Sequence, residues 1–315
     1  MDIEASNKQN TTNPYPRYLV TGSIDGVIKS WEVSTGICPD NHTYADSSPL
    51  SLFIVGDTGM FYIAGKNVFA YPFRNKTMPP LIFSGHSDVV LDIGSPSYGR
   101  WLWSISTDKS LRIWEIGQAV FRREYKHPHV LTACTMMPNQ SSLMTGDDSG
   151  NIYLWDLNED GLAWSLTLFD SDTGVRTLSS TSIDGQNYIV VANRSGLMWL
   201  YKMVNDSRHI VLIQELTAHR MSVLRVKFSP DGRWLATTGA DGACRLWSFE
   251  DERLTLAREI DEHDGWVWSC CFSQDGNYLA TCGSDTKVFL WSVPTCEKIK
   301  EYVGHKRDVT CVALC

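Results

Sequence analysis

Residues 235–247 read LATTGADGACRLW, and the phrase returns as LATCGSDTKVFLW at 279–291 and as LVTGSIDGVIKSW at 19–31. Looser copies end at Trp114, Trp155, Tyr71 and Tyr201. The closing aromatics Trp31, Tyr71, Trp114, Trp155, Tyr201, Trp247 and Trp291 follow one another at intervals of 40 to 46 positions. A repeat of that length over nearly the whole chain marks one supersecondary unit copied seven times. Such a unit cannot bury its apolar face alone and must stack on its neighbours.

The sixth copy shows what the unit is. Alternation from Ser222 to Phe228 predicts an inner strand, and SPDG at 229–232 is a hairpin turn with Pro and Gly where a turn needs them. WLATTG is a second strand, ACRLWSF a third after a tight turn through Asp241, and LTLAREI an outer fourth. Four antiparallel strands at a period of about 40–45 residues make a WD-repeat blade, so the fold expected is an all-β, seven-bladed WD-repeat β-propeller. The first copy has no inner strand before Arg17, whereas GHKRDVTCVALC at 304–315 carries one spare strand. Val309–Leu314 is therefore expected beside Arg17–Thr21, so that a C-terminal strand joins the N-terminal blade and closes the ring. Closure removes two open sheet edges, which otherwise invite aggregation. Residues 17–315 are thus one propeller, and 1–16, MDIEASNKQNTTNPYP, a disordered lead-in without the basic and apolar regions of a signal peptide.

Polar residues recur at the same period. The third copy holds His86, Ser104, Asp108 and Trp114; the sixth His219, Thr237, Asp241 and Trp247; the seventh His263, Thr281, Asp285 and Trp291. The first would assemble His305, Thr21, Asp25 and Trp31 from both ends of the chain. Polar groups inside a blade need partners or they cost stability. A catalytic triad occurs once, whereas these sets repeat with the blades, so they are assigned to folding and not to chemistry. Three copies depart: the fourth has Ser149 where Asp is expected, the fifth has Ser195 and Tyr201 with no histidine, and the second has Gly65 and Tyr71. Those blades are expected to be held more by packing than by polar links.

Composition narrows the function. The net charge of −8 argues against nucleic acid or an anionic membrane as a main partner, and no apolar run is long enough to cross a bilayer. Most of the nine cysteines (Cys134, Cys244, Cys270, Cys271, Cys282, Cys311) lie in apolar runs, and none forms a CxxC pair, so no metal site or cofactor is expected and a reducing cytoplasm is the natural setting. No P-loop, G-x-S-x-G or H-E-x-x-H motif points to an enzyme. Strict alternation along the inner strands would place on one face Asp308 and Thr310, Ser48 and Leu50, Asp88 and Val90, Val130 and Thr132, Arg176 and Leu178, Ser222 and Leu224, and Trp266 and Trp268. The two tryptophans stand out, being the residue type most enriched in binding hot spots.

Beyond the repeat, STGIC (34–38), MPNQSSLMTGDDSGNIYLWDL (137–157), DGWVWSCCFS (264–273) and EKIKEYVGHKRDVTCVAL (297–314) resemble the WD-repeat, G-protein-β-like subunits of TOR kinase complexes. Ser149 and the Trp266-x-Trp268 doublet carry the resemblance too. It implies a non-catalytic subunit that sits on the TOR kinase domain beside its cleft and stabilises it. Raptor-type and rictor-type scaffolds would share the complex, which would be cytoplasmic or peripheral on endomembranes. By that resemblance the partner contacts are Trp266, Trp268, Ser48 and Leu50, with Asp308, Thr310 and Ser222 beside them. The alternative is a general WD-repeat adaptor, such as a ubiquitin-ligase substrate receptor or a G-protein β relative. Against the latter, the first 16 residues contain two prolines and no heptad.

Overall fold

Each repeat alternates apolar and polar residues at period two and breaks at Gly, Asp and Ser turns, so it folds into short antiparallel strands. The structure, a computed structural model, describes residues 16–43, 48–54, 60–72, 79–96, 99–159, 161–168, 173–204 and 209–314. The expected disordered lead-in falls at residues 1–15, outside these, apart from its last residue. Seven four-stranded sheets form, each ordered from the inner to the outer strand. The inner strands are Val309–Leu314, Ser51–Ile54, Val90–Gly94, Leu131–Met136, Val175–Ile183, Val223–Phe228 and Val267–Phe272, for blades 1 to 7 in turn. Each packs against the next, and the seventh against the first, so the ring is closed.

Closure takes the form the sequence predicts. Val309–Leu314 pairs antiparallel with Tyr18–Ser23 in the register Leu19↔Leu314, Thr21↔Val312 and Gly22↔Cys311. The core is annular rather than central. Seven apolar clusters each straddle two adjacent blades; Leu19, Trp31, Ala280, Leu290, Tyr302 and Val312 form the one between blades 7 and 1. Losing any one blade therefore opens two clusters at once. Cys134, Cys244, Cys270, Cys282 and Cys311 are buried free thiols in these strands, and burial pushes their ionisation up.

The repeated polar residues meet inside blades 3, 6 and 7. In blade 6 the Trp247 indole donates to Thr237 Oγ1 (3.0 Å), the Thr237 hydroxyl donates to His219 Nε2 (2.9 Å), and His219 Nδ1 donates to Asp241 (2.8 Å). Blades 3 and 7 repeat the chain through Trp114, Ser104, His86 and Asp108 and through Trp291, Thr281, His263 and Asp285. In each, the backbone N–H after the histidine also donates to the carboxylate.

Blade 1 differs from the expectation. Trp31 donates to Thr21 (2.9 Å) and Thr21 meets His305 Nε2 (2.7 Å), but His305 Nδ1 is buried with no partner among the described residues. Asp25 is exposed and its carboxylate accepts instead from the Val27 amide (3.3 Å). The histidine and the turn come from opposite ends of the chain here, and no amide beside His305 draws the carboxylate inward. The strand ladder, more than the polar relay, secures the closing blade.

Blade 4 solves the missing acid differently. Asp147, two positions before Ser149 and fully buried, accepts from Tyr153 Oη (2.9 Å), from the Asn151 side chain and from the Ser149 and Asn151 amides. His127 occupies the place of the tetrad histidine, with its ring edge-on to Tyr153 (4.9 Å) and Trp155 (4.7 Å) and neither ring nitrogen partnered. In blade 5 the Asn193 side chain takes over the turn, accepting from the Ser195 and Leu197 amides.

These histidines make stability depend on pH. Burial lowers His127 and His305 to about 4, against about 6.5 in an unfolded chain. Between those values the unfolded chain binds protons that the folded one refuses, so stability present above pH ~6.5 is lost as pH falls toward 4. His127→Phe keeps the ring contacts and removes two unpartnered nitrogens. It is expected to match or exceed the parent at pH 7, by up to about 1–3 kcal/mol, and to lose less stability on going to pH 5. Urea midpoints at the two pH values measure both effects; a strongly destabilised variant at pH 7 would contradict this account of blade 4.

Candidate partner-docking face

The face is built by a bulge that strict alternation does not foresee. In six blades the pairing of the inner strand with the second strand slips at one place, skipping Thr310, Leu91, Thr132, Arg176, Leu224 and Trp268. A bulge of this kind inserts one residue and re-aims its side chain. The residues before it (Val309, Val90, Leu131, Val175, Val223, Val267) are fully buried between blades. Two expected positions are corrected by this register. Val90 is fully buried and Leu178 nearly so, both in the core. The bulge residues there are Leu91 and Arg176.

The bulge residues have two uses. Thr310 donates to the Pro49 carbonyl of the next blade (2.5 Å), and Thr132 likewise to the Val175 carbonyl. These hydroxyls tie blades together. Arg176, Leu224 and Trp268 instead line a groove of about 600 Å³ across blades 5 to 7, with Arg194, Arg220, Met221 and Trp266. Trp266 is 45% exposed and Met221 50%. The two indoles meet edge to face at 5.1 Å, and Trp268 Nε1 donates to Ser284 Oγ (2.9 Å), which fixes the pair. Ser222 borders the groove.

The other expected contacts gather at the junction of blades 1 and 2. Ser48 Oγ donates to the Ile24 carbonyl (2.7 Å), the Asp308 carbonyl accepts from the Ile24 amide, and Leu50 is 37% exposed beside Thr310's bond to Pro49. Ser48 and Thr310 thus spend their hydroxyls on the ring itself.

Sequence reasoning missed Arg194 and Arg220. Among the described residues neither these nor Arg176 forms an ion pair. Burial, then Arg194 and Arg225, push Arg176 below its ordinary range. These three guanidinium groups beside the exposed Trp266 and the half-buried Trp268 form a cationic, aromatic patch on a chain of net charge −8. Arg and Trp together suit an acidic segment carrying apolar side chains. No group of three or more His, Cys, Asp or Glu that could hold a metal occurs among the described residues.

Comparison with known proteins decides the family. The WD domain, G-beta repeat family matches at residues 78–115, 120–156, 210–248 and 254–292. The chain is 37% identical over 300 residues to target of rapamycin complex subunit wat1 of Schizosaccharomyces pombe, covering 94% of this chain and 95% of that one. It is 36% identical to target of rapamycin complex subunit LST8 of Saccharomyces cerevisiae, covering 94% and 98%. The chain belongs to the family of WD-repeat target of rapamycin complex subunits. A mouse member, target of rapamycin complex subunit LST8, is 29% identical over 75% of this chain and 74% of its own. No helix among the described residues is long and apolar enough to cross a membrane.

Proposed function

We propose that this chain is a non-catalytic adaptor of a TOR complex, docking on the kinase domain through the face of blades 5 to 7 and stabilising it. Family membership at 36–37% identity over 94% of the chain supports the complex. The observation that carries the docking site is the Trp266–Trp268 pair, with Trp266 exposed and Trp268 half-buried at the bulge, flanked by Arg176, Arg194 and Arg220. The partner segment it suits is acidic with aromatic or aliphatic anchors. His, Asp and Ser/Thr groups that could be mistaken for catalysts are engaged within blades 3, 6 and 7. Raptor-type and rictor-type scaffolds join the complex through the kinase in this reading, and its setting is cytoplasmic.

The double variant Trp266→Ala/Trp268→Ala tests it. Central aromatic anchors typically contribute ≥ ~2 kcal/mol each, so affinity for the kinase is expected to fall by roughly 30-fold or more. Co-purification of the kinase with the intact and the variant chain reads this, with the melting point confirming that the variant is folded. Undiminished association of a folded variant returns the two tryptophans to packing. Failure of any large kinase to co-purify with the intact chain favours a general WD-repeat adaptor.

A further inference from the structure

The central channel holds a second polar site, away from the docking groove. Arg225 on blade 6 reaches Asp92 on blade 3 with two bonds, Nη1 to Oδ2 (3.1 Å) and Nη2 to Oδ1 (3.0 Å). Asp92 also accepts from Ser51 Oγ (2.6 Å) and from the Ile93 amide, so its acceptor capacity is taken. Two residues further along each inner strand stand Gly94 and Lys227, at equivalent levels in the shared register. Lys227 makes no ion pair or hydrogen bond among the described residues. Gly94 leaves room for the Trp103 indole behind it, since a Cβ at Gly94 would lie 2.5 Å from that ring. Trp103 Nε1 and Arg225 Nε are buried donors with no acceptor among the described residues.

Trp103, Arg225 and Lys227 all line one cavity of about 600 Å³. Among the described residues no Asp or Glu lines it, in a chain with 36 acidic residues against 28 basic ones. The Lys227 ammonium faces only Asp92, whose acceptors are already taken by Arg225, Ser51 and the Ile93 amide, so it and two idle N–H donors leave the pocket with free donors and no free carboxylate, the complement an oxyanion needs. We propose that this cavity binds a phosphate-class anion, with Lys227 as its counter-charge and Trp103 Nε1 and Arg225 Nε as donors. Burial and the neighbouring Arg225 lower the Lys227 ammonium's ordinary range, and a bound anion would reverse that shift. The site does not depend on the docking reading, because it lies inside the ring and not on the partner face.

Titration of the full chain with inorganic phosphate, and separately with pyrophosphate, tests this against chloride at equal ionic strength. Saturable binding and a raised melting point are expected with at least one of them. The tighter probe tells whether the natural ligand carries one phosphate group or several. Lys227→Gln is expected to weaken binding by about tenfold or more, as loss of a charge-assisted bond does. Trp103→Phe, which keeps the ring and removes only the donor, is expected to weaken it by a smaller factor. The proposal is overturned if chloride gives the same response, or if both variants fold and bind as the parent does. Should Lys227→Gln fail to fold, Trp103→Phe decides alone.

Discussion

Removing residues 304–315 is expected to unfold the whole ring rather than fray one edge. The segment supplies the inner strand of blade 1, paired from Leu19↔Leu314 to Ser23↔Val309. It also buries Val309, Cys311, Val312 and Ala313 in clusters shared with blades 7 and 2. Full burial of a valine-sized side chain is worth about 1.5–3 kcal/mol. Two valines and their neighbours, with the ladder, therefore approach the ~5–15 kcal/mol that holds a typical domain together. The deletion further bares the backbone of Tyr18–Ser23 and leaves the Thr21 hydroxyl without His305. Loss of the cooperative melting transition and of soluble yield is the expected result. A truncated chain melting within a few degrees of the intact one would show that the other six blades hold the ring unaided.

The second large effect is expected inside the channel. Burial by itself would raise the Asp92 carboxyl, but Arg225 and Lys227 override it and hold the group below its ordinary range. Asp92 is 5% exposed and Arg225 23%, so removing one partner strands a charge in a poorly solvated place. Breaking a buried pair in this way costs about 3–5 kcal/mol. Asp92→Leu should lie at the upper end, because it leaves Arg225 beside Lys227 with no acid to pair with. Arg225→Met should cost less, since Lys227 still faces the carboxylate. The paired change Asp92→Leu/Arg225→Met is expected to recover most of the loss, as apolar replacement of buried pairs often does. Denaturant midpoints of the four proteins complete the cycle. Additive losses in the double variant would show that the two residues act independently.

These two sites show where sequence reasoning reached and where it stopped. Ring closure was legible because Thr21, Trp31 and His305 keep the spacing logic of the other blades even when split between the termini. Asp92 and Arg225 lie 133 positions apart and occupy the same level in blades 3 and 6 with opposite charge, so periodicity averages them away. The proposed docking face was half legible. Trp266 and Trp268 announce themselves by type, but alternation alone does not fix the register: in blades 3 and 5 the buried residue before the bulge is Val90 and Val175, which places Leu91 and Arg176 on the bulge and Leu178 in the core. Arg194 and Arg220 come from loops whose convergence only the ring creates. His127 keeps the 28-residue spacing to Trp155 that blades 3, 6 and 7 show but was not singled out from the sequence; its role as an edge-on ring follows from Tyr153 and Asp147, which replace the network that Ser149 cannot complete.

The way the ring closes also sets a schedule for biosynthesis. Thr21 and His305, partners in one blade, are 284 positions apart. At a synthesis rate of about 5–20 residues per second, the first waits roughly 15–60 s for the second to be made. Throughout that interval a nascent chain shows the ribosome's surroundings an unpaired strand at Tyr18–Ser23 and an unfilled flank on blade 7. The strand at Val309–Leu314 is the one that makes every earlier segment safe, so demand for chaperones should peak just before it emerges.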